Sequence, residues 1–334
     1  MAKVSIEQVS QHPEKFDWDE WRKQMEDIFK DITKPQPTPE PTPQPEEPPE
    51  QEEEPIEVID DYFEVQSHIS LLHKQGFKGK GIKVGVIDTG IAYKNHPAIK
   101  GKIIAGKNFT NDGRSSNDIS SKHFHGQAVT SLVLAIAPQA EIVVAKVLDD
   151  KGSGDTGITT KGIKYCIEQG VDIINMSLGG GHDDEMEQAV REATDKGICV
   201  VVASGNESTG KPVESYPAAY DDSIAVGAID ANYNLADFSN FNNFIDVVAP
   251  GVKVKVADGQ SDYSFANGTS FSAPIISGVL AVLKQKFIND FNRKPSDAEL
   301  YGMLTYCCRF INNMDYNKQG HGFVDFKDLR NFNK

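Results

Sequence analysis

The chain lacks the marks of several protein classes. It has no charged-then-apolar leader: Met1 to Ser10 is polar, and charged residues follow. No apolar run approaches the length of a membrane span. Basic charge is short, with 34 Lys/Arg against 49 Asp/Glu and a formal net charge of −15, which argues against a nucleic-acid partner. Cysteine is scarce. Cys166, Cys199, Cys307 and Cys308 show no metal or redox spacing, and the adjacent pair is poorly placed to bridge itself. Four reduced, mostly buried thiols and a reducing, cytoplasmic site of synthesis are the expectation. Tryptophan occurs only at Trp18 and Trp21.

What is present divides the 334 residues into three parts. Residues 1–62 hold 18 acidic and 6 basic residues, leaving 31 against 28 for the rest, so the acidity is local. Within 1–34, Trp18, Trp21, Met25, Ile28, Phe29 and Ile32 recur at three- and four-residue steps, predicting one amphipathic helix over 17–32. Such a face suits either packing on its own protein or docking on a partner protein, and the second is favoured. Residues 35–62 form a Pro/Glu-rich linker. Nine of the 17 prolines fall between 35 and 55, a composition that stays extended and disordered. Residues 63–334 read as a globular domain.

In that domain short apolar, β-branched runs alternate with helix-patterned stretches. Val65 to Gly76 has helical spacing. Strands are expected over Ile82–Ile87, Ile142–Val147, Ile173–Met176 and Ile198–Ala203. Helices are expected from His125, over Gly157–Gln169 and Asp184–Lys196, from Ser270 to about Asn289, and over Pro295–Phe310. This alternation implies an α/β fold with a mostly parallel central sheet covered on both faces.

Four stretches carry chemistry. Asp88 ends the first strand in Val84-Gly85-Val86-Ile87-Asp88-Thr89-Gly90, where open α/β sheets place functional residues. His125 opens a helix in His123-Phe124-His125-Gly126-Gln127-Ala128-Val129. Asn206 follows a strand in Val201-Val202-Ala203-Ser204-Gly205-Asn206-Glu207. Ser270 lies in Asn267-Gly268-Thr269-Ser270-Phe271-Ser272-Ala273-Pro274, ahead of a long apolar helix. A serine in the first turn of a helix sits beside unpaired N–H groups and partial positive charge, which favours an oxyanion there. Pro274 fits a position near a helix start.

In order and content these blocks resemble the signature blocks of the subtilisin-like serine proteases, the subtilases, of the leaderless intracellular type. The resemblance runs from about Phe63 to Leu329. It implies a three-layer sandwich and an Asp88–His125–Ser270 triad, with Asn206 as a side-chain oxyanion donor. His125 is preferred to His123 as the base because Gly126 and the helix follow it directly. Gly152, Ser153 and Gly154 would form one backbone edge for an extended peptide, and Ser177, Leu178 and Gly179 the other. Ala203 and Tyr216 would join the pocket wall.

Two departures stand out. The histidine block usually reads His-Gly-Thr-His-Val-Ala-Gly; here Gln127, Ala128, Thr130 and Ser131 differ. After it, Ser131 to Pro138 lacks the loop that binds calcium tightly in many relatives, and it contains no hard-cation ligand. No cofactor is expected to be required, and no metal residue is assigned, although a weak calcium or sodium ion near Ala218 and Asp246 is allowed for by the resemblance. The implied activity is a serine endopeptidase acting on polypeptides, with large apolar residues on the acyl side of the cut. A non-cleaving peptide-binding relative, or a protease-bearing part of a phage particle or secretion machine, are the alternatives.

Overall fold

A computed structural model describes residues 66–327, together with Lys23, Met25, Glu26 and Phe63. The expected 35–62 linker lies outside the described residues, as do Trp18, Trp21, Ile28, Phe29 and Ile32 of the expected tail helix.

The strands are β1 (Lys83–Asp88), β2 (Ile103–Asn108), β3 (Glu141–Lys146), β4 (Ile173–Met176), β5 (Cys199–Ala203), β6 (Ser223–Ile229), β7 (Ile245–Pro250), β8 (Val254–Asp258), β9 (Asp262–Ala266), β10 (Cys308–Arg309) and β11 (Phe323–Val324). The helices are α1 (Ser70–His73), α2 (His125–Ile136), α3 (Thr156–Glu168), α4 (Asp184–Asp195), α5 (Thr269–Phe291), α6 (Asp297–Tyr306) and α7 (Tyr316–Gln319). One nine-stranded sheet runs β10-β11-β7-β6-β5-β4-β1-β3-β2, parallel except for the β10–β11 pair. The β8–β9 hairpin stands apart as a two-stranded antiparallel sheet.

Strand residues alternate between two cores, as the pleat requires. Val84, Val86, Ile142, Val144 and Val201 face a cluster that includes Val129 and Val133 of α2 and Ile276, Val279 and Leu283 of α5. Ile87, Val143, Ala145, Val200 and Val202 face a second cluster with Ile163 of α3 and Met186, Ala189 and Val190 of α4. The result is the expected three-layer sandwich. Helix starts follow local chemistry. Asp155 and Asp183 accept the N–H groups of Ile158 and Met186, and Ser296 with Glu299 forms a capping box on α6.

Helix α5 is 23 residues long and apolar enough to cross a membrane, although no such run was expected from the sequence; 89% of its most apolar 18-residue window is buried, as befits a core helix. Pro274 is its sixth residue rather than one at its start. A proline there cannot donate to the carbonyl four residues back, that of Ser270. Ser177 Oγ supplies the missing hydrogen bond at 2.7 Å. The nucleophile candidate's carbonyl is thereby tied to the loop after β4.

Four other expectations need correction. The helix over 65–76 is interrupted at His68, which has φ +55°, and resumes as the single turn α1. The helix over 295–310 ends at Tyr306, where β10 begins two residues later. β2 and the β8–β9 hairpin were not anticipated. Finally, of the two roles open to the tail face that carries Met25, docking on a partner was favoured over packing on its own protein. Met25 is helical, 2% exposed, and part of the same core cluster as Phe63 and Leu72, so at this residue the tail packs on its own domain.

Candidate active site

Asp88 ends β1 and is fully buried. Its Oδ1 accepts the Thr89 N–H at 2.6 Å. His125 Nδ1–H donates to Oδ1 at 2.9 Å and lies 3.0 Å from Oδ2. Burial works against a charged His125, but the Asp88 carboxylate and its hydrogen bond outweigh it and raise the imidazole's pKa above 6.5. That bond also leaves Nε2 as the nitrogen available for proton transfer.

The first turn of α2 is held against the turn after β1. The Gly126 N–H donates to Thr89 Oγ1 at 3.0 Å. A methyl group on Gly126 would lie 2.2 Å from the Gly90 carbonyl, so only glycine allows this approach. This explains why His125 is followed by Gly126 without appeal to the motif. His123 does not touch Asp88. Its Nδ1 accepts the His125 N–H at 3.2 Å, and its ring stacks on Phe124.

Ser270 is the second residue of α5, where N–H groups have no intrahelical acceptor. Phe271, beside it, brings its ring to 5.6 Å from that of His125. Among the described residues the Ser270 hydroxyl has one acceptor, the Ser177 carbonyl at a long 3.4 Å, and no hydrogen bond joins it to His125. Hydroxyls in unliganded sites commonly engage their base only when substrate arrives.

Asn206 lies exposed in the loop after β5. Its Oδ1 accepts both the N–H and the hydroxyl of Thr269, at 2.8 and 3.0 Å. With the oxygen anchored, Nδ2 is left as a free donor at the start of α5. Thr269 was not identified from sequence; a threonine between glycine and serine reads only as a helix cap.

Gly152, Ser153 and Gly154 are exposed in a loop whose turn is tied by Asp149. They lie on the His123 side: a methyl on Gly152 would be 3.6 Å from His123 Nε2. In the loop after β4, Ser177 is buried, Leu178 half-buried and Gly179 exposed. Gly180 and Tyr216 exchange backbone hydrogen bonds of 2.9 and 3.0 Å, closing the wall. Ala203 is buried behind it. Glu207 Oε2 accepts Asn240 Nδ2 at 2.6 Å and the Glu207 N–H donates to Asn240 Oδ1, so this carboxylate is held at a fixed place on the rim.

Ser177 is itself held from beneath. Asn175 Nδ2 donates to its hydroxyl at 3.1 Å, and Ser277 Oγ donates to Asn175 Oδ1 at 2.9 Å, a buried chain from β4 to α5. The four cysteines are free and buried, and burial pushes Cys166 and Cys199 up to about 12, far from reactivity.

For metals, Asp246 Oδ2 accepts the Ala225 N–H at 2.7 Å and Oδ1 the Tyr301 hydroxyl at 2.9 Å. Each Asp246 oxygen thus carries one protein hydrogen bond. His182, Asp184 and Glu187 place ligand atoms within 4.8 Å of one another. They sit at the start of α4, however, where the helix presents positive potential.

Comparison with known proteins agrees with this geometry. The subtilase family model matches residues 79–305. The chain is 42% identical to the major intracellular serine protease of Bacillus subtilis (strain 168) over 245 residues, 69% of this chain and 76% of that one. It is 39% identical to the intracellular serine protease of Paenibacillus polymyxa over 241 residues, 68% of this chain and 74% of that one. With subtilisin DY of Bacillus licheniformis it shares 38% over 220 residues, 64% and 80% of the two chains. A buried Asp–His pair, a serine at a helix start and a match over most of the α/β domain agree: the chain belongs to the subtilase family and is a subtilisin-like serine endopeptidase.

Proposed function

We propose that the endopeptidase works through Asp88, His125 and Ser270, with Asn206 and the Ser270 N–H as the oxyanion donors. The observation that carries this is the pairing of a fully buried Asp88 with His125 Nδ1 at 2.9 Å, next to a serine at the start of α5. Ser270 Oγ attacks the scissile carbonyl carbon while its proton passes to His125 Nε2. The new C–O bond leaves a negative oxygen facing Asn206 Nδ2 and the α5 N-terminus. His125 then gives the proton to the leaving amine as the C–N bond breaks. A water, deprotonated by His125, hydrolyses the acyl-enzyme and restores Ser270. Asp88 keeps His125 in the required tautomer throughout.

An extended peptide adds as a strand between the Gly152–Gly154 and Ser177–Gly179 edges. The pocket wall from Ser177 to Gly180, Ala203 and Tyr216 holds no buried charge, favouring large apolar or aromatic residues on the acyl side. Glu207, anchored on the rim, allows lysine there as well. The named intracellular relatives support action inside the cell. Labelling with a fluorophosphonate tests the reading. Wild type should be labelled and Ser270→Ala should not; labelling that survives this substitution would assign the nucleophile elsewhere.

A further inference from the structure

Four charged side chains beside the site take no part in the chemistry above. Lys146 ends β3, in register with Asp88 on β1. It is fully buried, and its ammonium donates to the Thr89 carbonyl at 2.8 Å and the Leu148 carbonyl at 2.9 Å. Thr89 belongs to the turn that holds Asp88 and Gly126. Leu148 opens the loop that carries Gly152–Gly154. One ammonium therefore pins two separate parts of the site at a fixed separation.

A buried ammonium needs negative partners. Asp112 Oδ2 lies 3.6 Å and Asp150 Oδ1 3.8 Å from Lys146 Nζ. Arg114 forks between the two carboxylates, with Nη1 at 2.5 Å from Asp112 and Nη2 at 2.7 Å from Asp150. Asp150 Oδ1 also accepts the Lys122 N–H at 3.0 Å and the Ser121 hydroxyl at 3.4 Å, in the stretch that leads directly into His123 and His125. Burial opposes the charge on Asp112, but hydrogen bonds from Arg114, Thr110 and Asn108 hold it far below the usual carboxylate range. Hydrogen bonding from Arg114 holds Asp150 at about 2. The cluster is neutral in sum, two cations against two anions.

We propose that Lys146, seated by Asp112, Arg114 and Asp150, is a positioning residue that fixes the Gly152–Gly154 edge relative to the Asp88–Thr89 turn and His125. The proposal rests on the reading of 152–154 as a substrate edge. The cluster touches no substrate; it acts through the loops it joins. Arg114 is the accessible handle, because its rigid fork spans both carboxylates while its side chain is only partly buried.

The test uses the full chain and two substrates. A single-residue acyl ester reports Ser270, His125 and Asn206. A peptide amide with four residues on the acyl side must also lie along 152–154. Arg114→Gln should lower the long-to-short ratio of kcat/KM about tenfold, chiefly through KM, since small misplacements of a binding edge cost this much or more. Arg114→Lys should recover part of the ratio. Lys146→Met should lower both substrates, because the Asp88 turn loses its pin as well.

An unchanged ratio in Arg114→Gln, whether both rates fall together with thermal stability or neither falls, overturns the proposal. Wild type that cleaves the ester but gains nothing from the longer acyl side overturns the proposal and the edge reading together. Wild type that cleaves neither substrate overturns the triad reading, and the proposal with it.

Discussion

Asn206→Ala gives the sharpest test of the oxyanion assignment. In the structure Asn206 spends its oxygen on Thr269, through bonds of 2.8 and 3.0 Å, and on the proposed assignment its amide nitrogen faces the cleft. The nitrogen is then a donor aimed at charge that exists only once Ser270 has attacked. Removing one such donor costs about 3 kcal/mol of transition-state stabilisation, or roughly 10²–10³ in kcat. KM should hardly change, because the ground-state carbonyl has little claim on this donor. The alanine also removes the acceptor for Thr269, but water can reach this exposed loop and replace it. The assay is steady-state hydrolysis of a chromogenic peptide amide, with active sites counted by fluorophosphonate. Thr269→Val serves as a control: it removes the hydroxyl anchor but leaves the 2.8 Å N–H bond, so a far smaller loss of kcat is expected. A large rise in KM with kcat preserved would refute the reasoning, since Asn206 would then be binding substrate and not the transition state.

Further outcomes follow from the same geometry. The Asp88 charge raises His125 above its ordinary 6.5 in spite of burial, so kcat/KM should rise with pH to a plateau with its midpoint above 6.5. The same pairing stabilises the protein fully below about 6.5 and is lost as pH rises through the folded value, so the melting temperature should decline across that window. In Asp88→Asn the midpoint should move down and kcat should collapse, which a pH–rate profile reads directly. Gly126→Ala would set a methyl 2.2 Å from the Gly90 carbonyl; a loss of about 1–3 kcal/mol in denaturant melts, with weakened turnover, is expected. Met25→Ala removes a side chain that is 2% exposed and should destabilise the domain by about 2 kcal/mol or more. No change in its melting curve would mean that the tail contact is dispensable.

The legible parts of the fold were those whose burial is written in consecutive residues. β1, β3, β4 and β5 sit inside a parallel sheet covered on both faces, so each is a short, mostly apolar and buried run. β2 was not legible because Ile103–Asn108 forms a half-exposed edge strand containing Gly106 and Lys107. β8–β9 pairs only with itself, and its second strand, Asp262–Ala266, has no fully buried residue. Met25 misled because helical spacing reveals that a residue has an apolar face but not what covers it.

The site divides in the same way. Asp88, His125, Asn206 and Ser270 could be proposed from sequence because each lies in a short stretch of distinctive residues that resembles a family block. Their supporting residues could not. Thr269 acts across 63 residues on Asn206, and Ser177 replaces the hydrogen bond that Pro274 denies Ser270, from 93 residues away. Lys146 left one faint signal, a charge within the apolar run Val143-Val144-Ala145-Lys146-Val147, but of its partners only Asp150 is near in sequence, and Asp112 and Arg114 lie in a separate loop.

Local patterning thus determined the α/β class and the alternation of buried strands with helices. Both depend on burial and backbone preferences within a few residues. Only the folded chain decided which of Asn206's amide atoms bonds Thr269, how the carbonyl of Ser270 is satisfied, and that a buried ammonium joins the turn after Asp88 to the Leu148 carbonyl. These are matters of distance between groups far apart in sequence, and no local preference encodes them.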